Sequence, residues 1–178
     1  MNARAEGIEA LDSTRTIRDA VERNLALLDA LARLTAAVDD DCWCAALPED
    51  PANTLGAQCR HLLDHYDSLL SGALTGTVDY ADRQRGRACE RSRRAARDRS
   101  AGIRRELTEL ARGIDAVLVV RDDDGNACRT SLGRELDFLA SHSTHHLALM
   151  RLLARIRGVA LDPELGVAAS TRSYRATR

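Results

Sequence analysis

The sequence contains few aromatic residues, and this shortage limits the kind of core that the chain can build. Aromatic residues make up 3% of the 178 residues, against 44% for hydrophobic residues as a whole. The core must therefore be built from Leu, Ala, Val and Ile. Because strands favour aromatic and β-branched residues, whereas helices favour Ala, Leu, Arg and Glu, the composition predicts an all-α protein.

Lysine is absent, and all 26 basic residues are arginine. This excludes chemistry that needs a lysine, such as a Schiff base or a lysine that binds phosphate. Long apolar stretches are absent too, since no run reaches the roughly 18 residues that a membrane-spanning helix needs. The first twenty residues contain no apolar segment of the kind found in signal peptides. We therefore expect a soluble cytoplasmic protein that does not enter a membrane.

The chain has five cysteines and a net charge of −1. An odd number of cysteines without a signal peptide argues against a disulfide framework, so we expect reduced thiols. The near-zero net charge gives the whole chain no polyelectrolyte character, and nucleic acid is not favoured as a partner.

Apolar residues recur at helical spacing in four segments. They predict helices over residues of about 16–38, 54–70, 88–114 and 132–157. Between the third and fourth helices, VLVVRDDDGNACRT predicts a small β-hairpin, because two short runs flank an Asp-Gly pair. Residues 159–178 are expected to form a loop and a loosely held tail. Residues 1–178 should thus form one domain, a four-helix bundle, in which metal sites are built from facing helices.

Three of the five histidines, His142, His145 and His146, lie in the fourth predicted helix. At about 100° per residue, His142 and His146 are about 40° apart at the centre of the apolar stripe, and His145 lies on its flank. A buried imidazole without a partner costs about 1–3 kcal/mol in lost hydrogen bonds. A divalent metal explains two such residues at i, i+4, because neutral imidazole is the commonest protein ligand of metals.

A third ligand is expected from another helix, and the remaining histidines, His61 and His65, both lie in the second predicted helix. The apolar arc centred near Leu62 and Tyr66 places His65 slightly closer to the core than His61. Periodicity therefore leaves both open, with a slight preference for His65, and either residue could instead bind a core carbonyl or face water. Since all five histidines fall on two helices, a shared metal site is favoured.

The two histidine segments resemble those of the DinB/YfiT-like superfamily of metal-binding four-helix bundles. TLGAQCRHLLDH resembles the family's pattern in the second helix, with His61 in the ligand position. HSTHHLALM resembles the pattern in the fourth helix, with His142 and His146 in the ligand positions. The resemblance covers helix order, loop placement and both motifs. It departs at Asn53, where the family has Trp, and at Leu149, where the family has Gln.

The resemblance implies that His61, His142 and His146 bind Zn²⁺, Ni²⁺ or Fe²⁺ and leave positions open to water or substrate, which is the pattern of catalytic sites. Some proteins of this family are S-transferases that use bacillithiol, mycothiol or glutathione. There the metal would stabilise the thiolate of a low-molecular-weight thiol. Dimers are common in the family, which makes a homodimer the expected assembly.

Glu135 shares the inward stripe of the fourth helix with the histidines. It could orient a metal ligand or act as a general base, or it could simply favour the positive N-terminal end of that helix.

Residues 83–105 contain ten Arg against two acidic residues. We interpret this segment as a solvated, salt-bridged face, with a small-anion site as an alternative. Nucleic-acid binding is a weaker alternative, because no aromatic residues interleave with the arginines. If the preceding loop folds over the end of the bundle, Arg83 and Arg87 are the candidates for binding the carboxylates of a thiol cofactor.

These features together favour a metal-dependent enzyme that transfers a group to or from a low-molecular-weight thiol and acts on a small-molecule substrate. The alternative is a non-catalytic metal-binding or dimerising bundle, in which the metal serves stability or sensing. A third, weaker hypothesis is an arginine-mediated module that binds nucleic acid or a protein partner.

Overall fold

The computed structural model describes residues 3–81, 86–113, 115–121 and 124–177, with side chains from residue 17 onward. Most of the described chain is helical, and a small sheet accompanies the helices. The helices are α1 (Ala3–Ala37), α2 (Asp40–Cys44), α3 (Leu55–Thr75), α4 (Ala88–Arg91), α5 (Arg93–Leu110), α6 (Leu132–Ile156) and α7 (Ala169–Ala176). The strands are β1 (Thr77–Asp79), β2 (Val117–Arg121) and β3 (Ala127–Ser131).

Four long helices, α1, α3, α5 and α6, correspond to the four predicted helices and surround the core. α1 and α3 each contact both α5 and α6. The predicted apolar stripe of α1 is buried at Ile17, Val21 and Leu28, and that of α6 at Leu139 and Leu153. Each such side chain contributes about 1.5–3 kcal/mol by leaving water, which is why the stripes face one another. Among the described residues, no helix has the length and apolar character needed to cross a membrane.

The third predicted helix is divided into α4 and α5 at Ser92. The backbone of Ser92 is extended, with φ of −136° and ψ of 113°, and its side chain accepts a hydrogen bond from the Ala95 N–H at 3.2 Å. Ser92 is thus an N-cap that starts a new helix, because its hydroxyl satisfies a backbone donor that lacks a helical partner. The predicted end of this helix, Ile114, lies outside the described residues.

Two further helix ends depart from the predicted bounds. α1 begins at Ala3 rather than at about residue 16. α3 continues to Thr75, beyond the predicted end at residue 70. The helix ends there because Gly76, its C-cap, adopts a positive φ of 83°. Two short helices were not predicted: α2 lies between the first two predicted helices, and α7 lies in the predicted tail.

The sheet is the main departure from an all-α fold. β2 and β3 form the predicted antiparallel hairpin, with Val117 opposite Ser131. β1 was not predicted, and it pairs in parallel with β2, with Val78 opposite Val120. Three residues with one buried side chain carry too little periodicity to indicate a strand. β1 follows α3 almost directly, and the residue after it, Tyr80, contacts the histidines described below.

A buried polar network connects α1, α3 and α6. The Tyr66 hydroxyl donates to Asn24 Oδ1 at 2.8 Å and lies 3.0 Å from Ser143 Oγ. Asn24 Nδ2 in turn donates to the carbonyl oxygens of Ala20 and Leu136, at 2.8 and 2.9 Å. Because buried polar groups are costly without partners, these bonds fix how the three helices are rotated relative to one another. The network thereby sets the faces that carry the histidines.

Candidate metal centre

Two neighbouring helices bring four imidazole rings together. His61 and His65 lie one turn apart on α3, whose first turn is capped by the Thr54 side chain at 3.0 Å from a backbone N–H. His142 and His146 lie one turn apart on α6. Since α3 packs against α6, the two pairs meet in one cluster, which we call the histidine cluster.

The rings of the histidine cluster are close enough to share an ion. His61, His65 and His142 each offer a ring nitrogen, and these atoms all lie within 4.8 Å of one another. The ring centroids of His65 and His142 are 4.1 Å apart, and those of His61 and His142 are 5.1 Å apart. The His146 centroid lies 4.6 Å from that of His61 and 4.4 Å from that of His142. The structure thus brings His61 and His142 together, as predicted, with both His65 and His146 beside them.

A backbone hydrogen bond fixes the tautomer of His65. His65 Nδ1 lies 2.9 Å from the carbonyl oxygen of His61. A carbonyl oxygen only accepts hydrogen bonds, so Nδ1 carries the proton and the neutral ring keeps its lone pair on Nε2. His65 is therefore able to bind a metal through Nε2.

His146 has a hydrogen-bond partner that the sequence analysis missed. His146 Nδ1 lies 2.5 Å from Gln58 Oε1, and Gln58 Nε2 donates to Asn53 Oδ1 at 2.7 Å. The second bond orients the Gln58 amide so that its oxygen accepts from the imidazole, which leaves the His146 lone pair on Nε2. Metal-ligating histidines almost always have such a partner. Helical spacing was the available signal, because Gln58, His61 and His65 follow an i, i+3, i+7 pattern.

The surroundings keep His146 uncharged. Burial, followed by repulsion from His61, His145 and His65, lowers the pKa of His146 to about 3. Metal binding needs a neutral imidazole rather than an imidazolium ion, so this ring is in the metal-binding form at neutral pH. His145 is exposed on the flank of α6, where the helical wheel placed it.

Two of the few aromatic residues cover part of the histidine cluster. The Tyr80 ring stacks on His65, with centroids 5.2 Å apart and planes 18° apart. The Phe138 ring stacks on His142, with centroids 5.6 Å apart and planes 25° apart. Tyr80 and Phe138 also touch each other, at 5.2 Å between centroids. We call this pair the aromatic cover, because it restricts the rotation of the two imidazoles.

Glu135, the predicted catalytic residue, is fully buried on α6 and is held by three donors. Its carboxylate accepts hydrogen bonds from Tyr80 at 2.8 Å, Thr130 at 2.7 Å and Arg134 at 3.0 Å. Burial and then the nearby Glu135 charge raise the pKa of Tyr80, so the phenol remains a donor. Glu135 is connected to His65 through the stacked Tyr80 ring. This arrangement favours the predicted orienting role over that of a general base, which must face the reacting atoms.

The two arginines predicted to bind a thiol cofactor are Arg83 and Arg87. Arg83 lies outside the described residues. Arg87 Nη1 donates to Asp67 Oδ2 at 2.8 Å, and Arg87 Nε lies 3.6 Å from Asp64 Oδ1. Asp64 is buried and also accepts hydrogen bonds from two further arginines. Since carboxylates of the protein already engage Arg87, we do not assign it to an anionic ligand.

Other arginines of segment 83–105 also form ion pairs, as the salt-bridged interpretation predicts. Several pairs join α5 to other helices, so they fix its position as well as neutralising charge. The pairs between helices are Arg93 with Asp40, Arg99 with Asp64 and Asp67, and Arg104 with Asp29. Arg94 pairs with Asp98 within α5.

No protein-family model, curated protein or solved structure matches the chain.

Proposed function

We propose that the protein binds a divalent transition-metal ion, Zn²⁺, Ni²⁺ or Fe²⁺, at the histidine cluster, in the manner of the DinB/YfiT-like four-helix bundles that its motifs resemble. The observation that carries the proposal is the convergence of three ring nitrogens, on His61, His65 and His142, to within 4.8 Å of one another. The donor set fits such an ion, because imidazole suits zinc, nickel and iron better than it suits the harder magnesium or calcium.

His61 and His142 are the two ligands on which the motif resemblance and the geometry agree. For the third position the resemblance assigns His146, whereas the nitrogen distances assign His65. Both rings have a hydrogen-bonded Nδ1, so both offer Nε2. The helical spacing is compatible with either choice, since each pair of histidines lies one turn apart on its own helix.

We further propose that the site is catalytic and acts on a low-molecular-weight thiol together with a small-molecule substrate. A bound divalent ion with an open coordination position would hold the thiol and stabilise its thiolate, which is the reactive nucleophile. The protein would supply neutral imidazole ligands, the Gln58 bond that orients His146, and the aromatic cover over His65 and His142.

A second candidate is a non-catalytic metal site that serves stability or sensing. The presence of four imidazoles favours it, because four protein ligands close a tetrahedral site, whereas three leave a position open. Dimerisation, which the resemblance also implies, is supported by the exposed apolar side chains of Leu152 and Ile156 on α6.

Titration with Co²⁺ tests the proposal and identifies the ligands, because the visible absorption of Co²⁺ reports its coordination. We expect alanine at His61 or His142 to abolish the tetrahedral spectrum, and alanine at the exposed His145 to leave it unchanged. Loss of the spectrum in His65→Ala but not in His146→Ala would assign the third ligand to His65, and the reverse would assign it to His146. A wild-type protein that gives no Co²⁺ spectrum contradicts the metal site.

Addition of thiols to the Co²⁺ protein separates the two candidates. We expect glutathione, bacillithiol or mycothiol to shift the spectrum of a three-histidine site, because the thiolate occupies the open position. A spectrum that none of the three thiols perturbs, together with loss of binding in all four histidine variants, supports the closed, non-catalytic site.

A further inference from the structure

A cavity lies between α1, α6 and the C-terminal segment, away from the histidine cluster. Its volume is about 860 Å³, and none of the five histidines lines it. Small-molecule sites are mostly apolar clefts of about 300–1,000 Å³, so both its size and its lining suit a ligand. Its apolar lining includes Leu27, Ala30, Leu34, Ala140, Leu147 and Leu165. We call this cavity the C-terminal cleft.

The chain segment that forms one wall of the C-terminal cleft is fixed to α6. Gly166, with φ of 73°, approaches so closely that a Cβ there would lie 2.2 Å from the Ala148 backbone nitrogen. Arg151 of α6 donates to the carbonyl oxygen of Pro163, and Leu165 packs against the core. Only glycine fits this contact, so the wall has a defined place and the cleft a defined shape.

Every carboxylate that lines the C-terminal cleft already has a partner. Asp137 pairs with Arg23, and Glu164 pairs with Arg175 at 3.0 Å. Asp162 Oδ1 accepts a hydrogen bond from the backbone N–H of Glu164 at 2.8 Å. The charges of Asp137 and Glu164 are therefore compensated by arginines, and the Asp162 carboxylate is held by the backbone.

Two arginines of the same lining differ from these carboxylates, because their guanidinium groups have no bonding partner among the described residues. Arg33 of α1 and Arg172 of α7 are exposed at the cleft. Over the described parts of the chain, neither guanidinium forms an ion pair or hydrogen bond. An apolar lining beside these two guanidinium groups is complementary to an anion that carries an apolar body, because guanidinium groups bind carboxylates and phosphates with directed hydrogen bonds.

We propose that the C-terminal cleft binds an amphiphile with one apolar chain and an anionic head group. The chain would pack on the leucine and alanine lining of α1 and α6, and the head group would bind Arg33 and Arg172. This site is independent of the histidine cluster and of the metal-dependent function proposed for it.

Calorimetric titration of the full chain with decanoate tests the proposal. We expect saturable binding, at least tenfold weaker binding of the uncharged decanol, and none of butyrate, which lacks the chain. Decyl phosphate in a parallel titration distinguishes a phosphate head group from a carboxylate. The double variant Arg33→Gln, Arg172→Gln should weaken decanoate binding at least tenfold, whereas Arg18→Gln, an exposed arginine on the same helix, should leave it unchanged.

A steric variant tests the apolar part of the site. Ala30→Phe places a large side chain in the lining and should abolish binding of both decanoate and decanol, while circular dichroism confirms that the protein remains folded. The absence of saturable decanoate binding would overturn the proposal, and so would equal affinities in wild type and the double arginine variant. A dimer that dissociates on Ala30→Phe and does not bind decanoate would assign the cleft to a second copy instead.

Discussion

Gln58 supports the histidine cluster at the scale of a single residue. Its carbonyl oxygen is the partner of His146 Nδ1, at 2.5 Å, and Asn53 holds its amide in that orientation. Gln58→Leu removes this acceptor, and we expect Zn²⁺ affinity to fall by about 10–100-fold, the usual effect of losing a partner of a metal ligand. Competition against a chromophoric chelator measures the affinity.

Gln58→Glu is the matched control, because it keeps an oxygen acceptor at the same position. We expect it to retain most of the Zn²⁺ affinity that Gln58→Leu loses. If Gln58→Leu bound Zn²⁺ as tightly as wild type, the bond from His146 to Gln58 would not contribute to metal binding. The third ligand would then be assigned to His65.

The five cysteines should differ in reactivity according to burial. Cys44 and Cys128 are exposed, whereas burial raises the pKa values of the Cys42, Cys59 and Cys89 thiols, most strongly for Cys59. The thiolate is the nucleophile, so a thiol reagent at neutral pH should label the two exposed residues quickly and the other three only after denaturation. Mass spectrometry after a short labelling pulse measures this, and rapid labelling of Cys59 in the native protein would contradict the described core.

The spacing of the histidines in the sequence was more informative for the pair on α6 than for the pair on α3. The helical wheel separated His142 and His146 from His145 within one helix, because the angle between residues is fixed. It could not decide between His61 and His65, because that choice depends on how α3 is rotated and shifted against α6. The structure fixes this rotation through the buried contacts of Tyr66 with Asn24 and Ser143, which pair residues far apart in the sequence.

At the scale of the elements, the approach of α3 to α4 depends on Gly56. A Cβ at this position would lie 1.9 Å from the carbonyl oxygen of Glu90 and 2.8 Å from Trp43 Nε1. Because the backbone of α4 cannot be displaced as a flexible side chain can, we expect Gly56→Ala to destabilise the protein by about 1–3 kcal/mol. Urea unfolding measures the change in the free energy of unfolding.

Gly102→Ala on α5 serves as the control for the Gly56 substitution. A Cβ at Gly102 would meet only the Arg105 side chain, at 3.9 Å. We expect this change to stabilise the protein by roughly 0.5–1 kcal/mol, because alanine loses less conformational freedom in a helix. Equal effects of the two substitutions would contradict the close packing of α3 on α4.

The elements that could be predicted are those with long periodic stripes. α6 lies within a residue of its predicted bounds, since its apolar pattern and its flanking signals agree. The division of the third predicted helix at Ser92 was missed. A serine can either cap a new helix or continue an existing one, and the sequence alone does not decide between the two. β1 was missed because its pairing with β2 joins segments about 40 residues apart, which no local pattern records.

At the scale of the whole molecule, metal binding should stabilise the fold. The histidine cluster joins α3 to α6, so an ion bound there links two helices of the core and binds only the folded chain. At a free Zn²⁺ concentration a hundredfold above the dissociation constant, the free energy of unfolding should rise by about 2.7 kcal/mol. For a protein of this size that corresponds to roughly 5–10 °C in melting temperature.

Thermal unfolding with added Zn²⁺ and with a chelator measures this stabilisation. His142→Ala should show no Zn²⁺-dependent shift, and His145→Ala should shift as wild type does. A wild-type melting temperature that is the same with Zn²⁺ and with chelator would mean that no ion binds preferentially to the folded state.

The most direct test is the metal content of the protein purified without an affinity tag. The histidine cluster predicts about one transition-metal ion per chain in wild type and in His145→Ala, and a content near background in His142→Ala. Elemental analysis of the three proteins, prepared in parallel from metal-supplemented cultures, supplies the measurement. Background metal in wild type, or an unchanged content in His142→Ala, would contradict a metal site at His61, His142 and their neighbours.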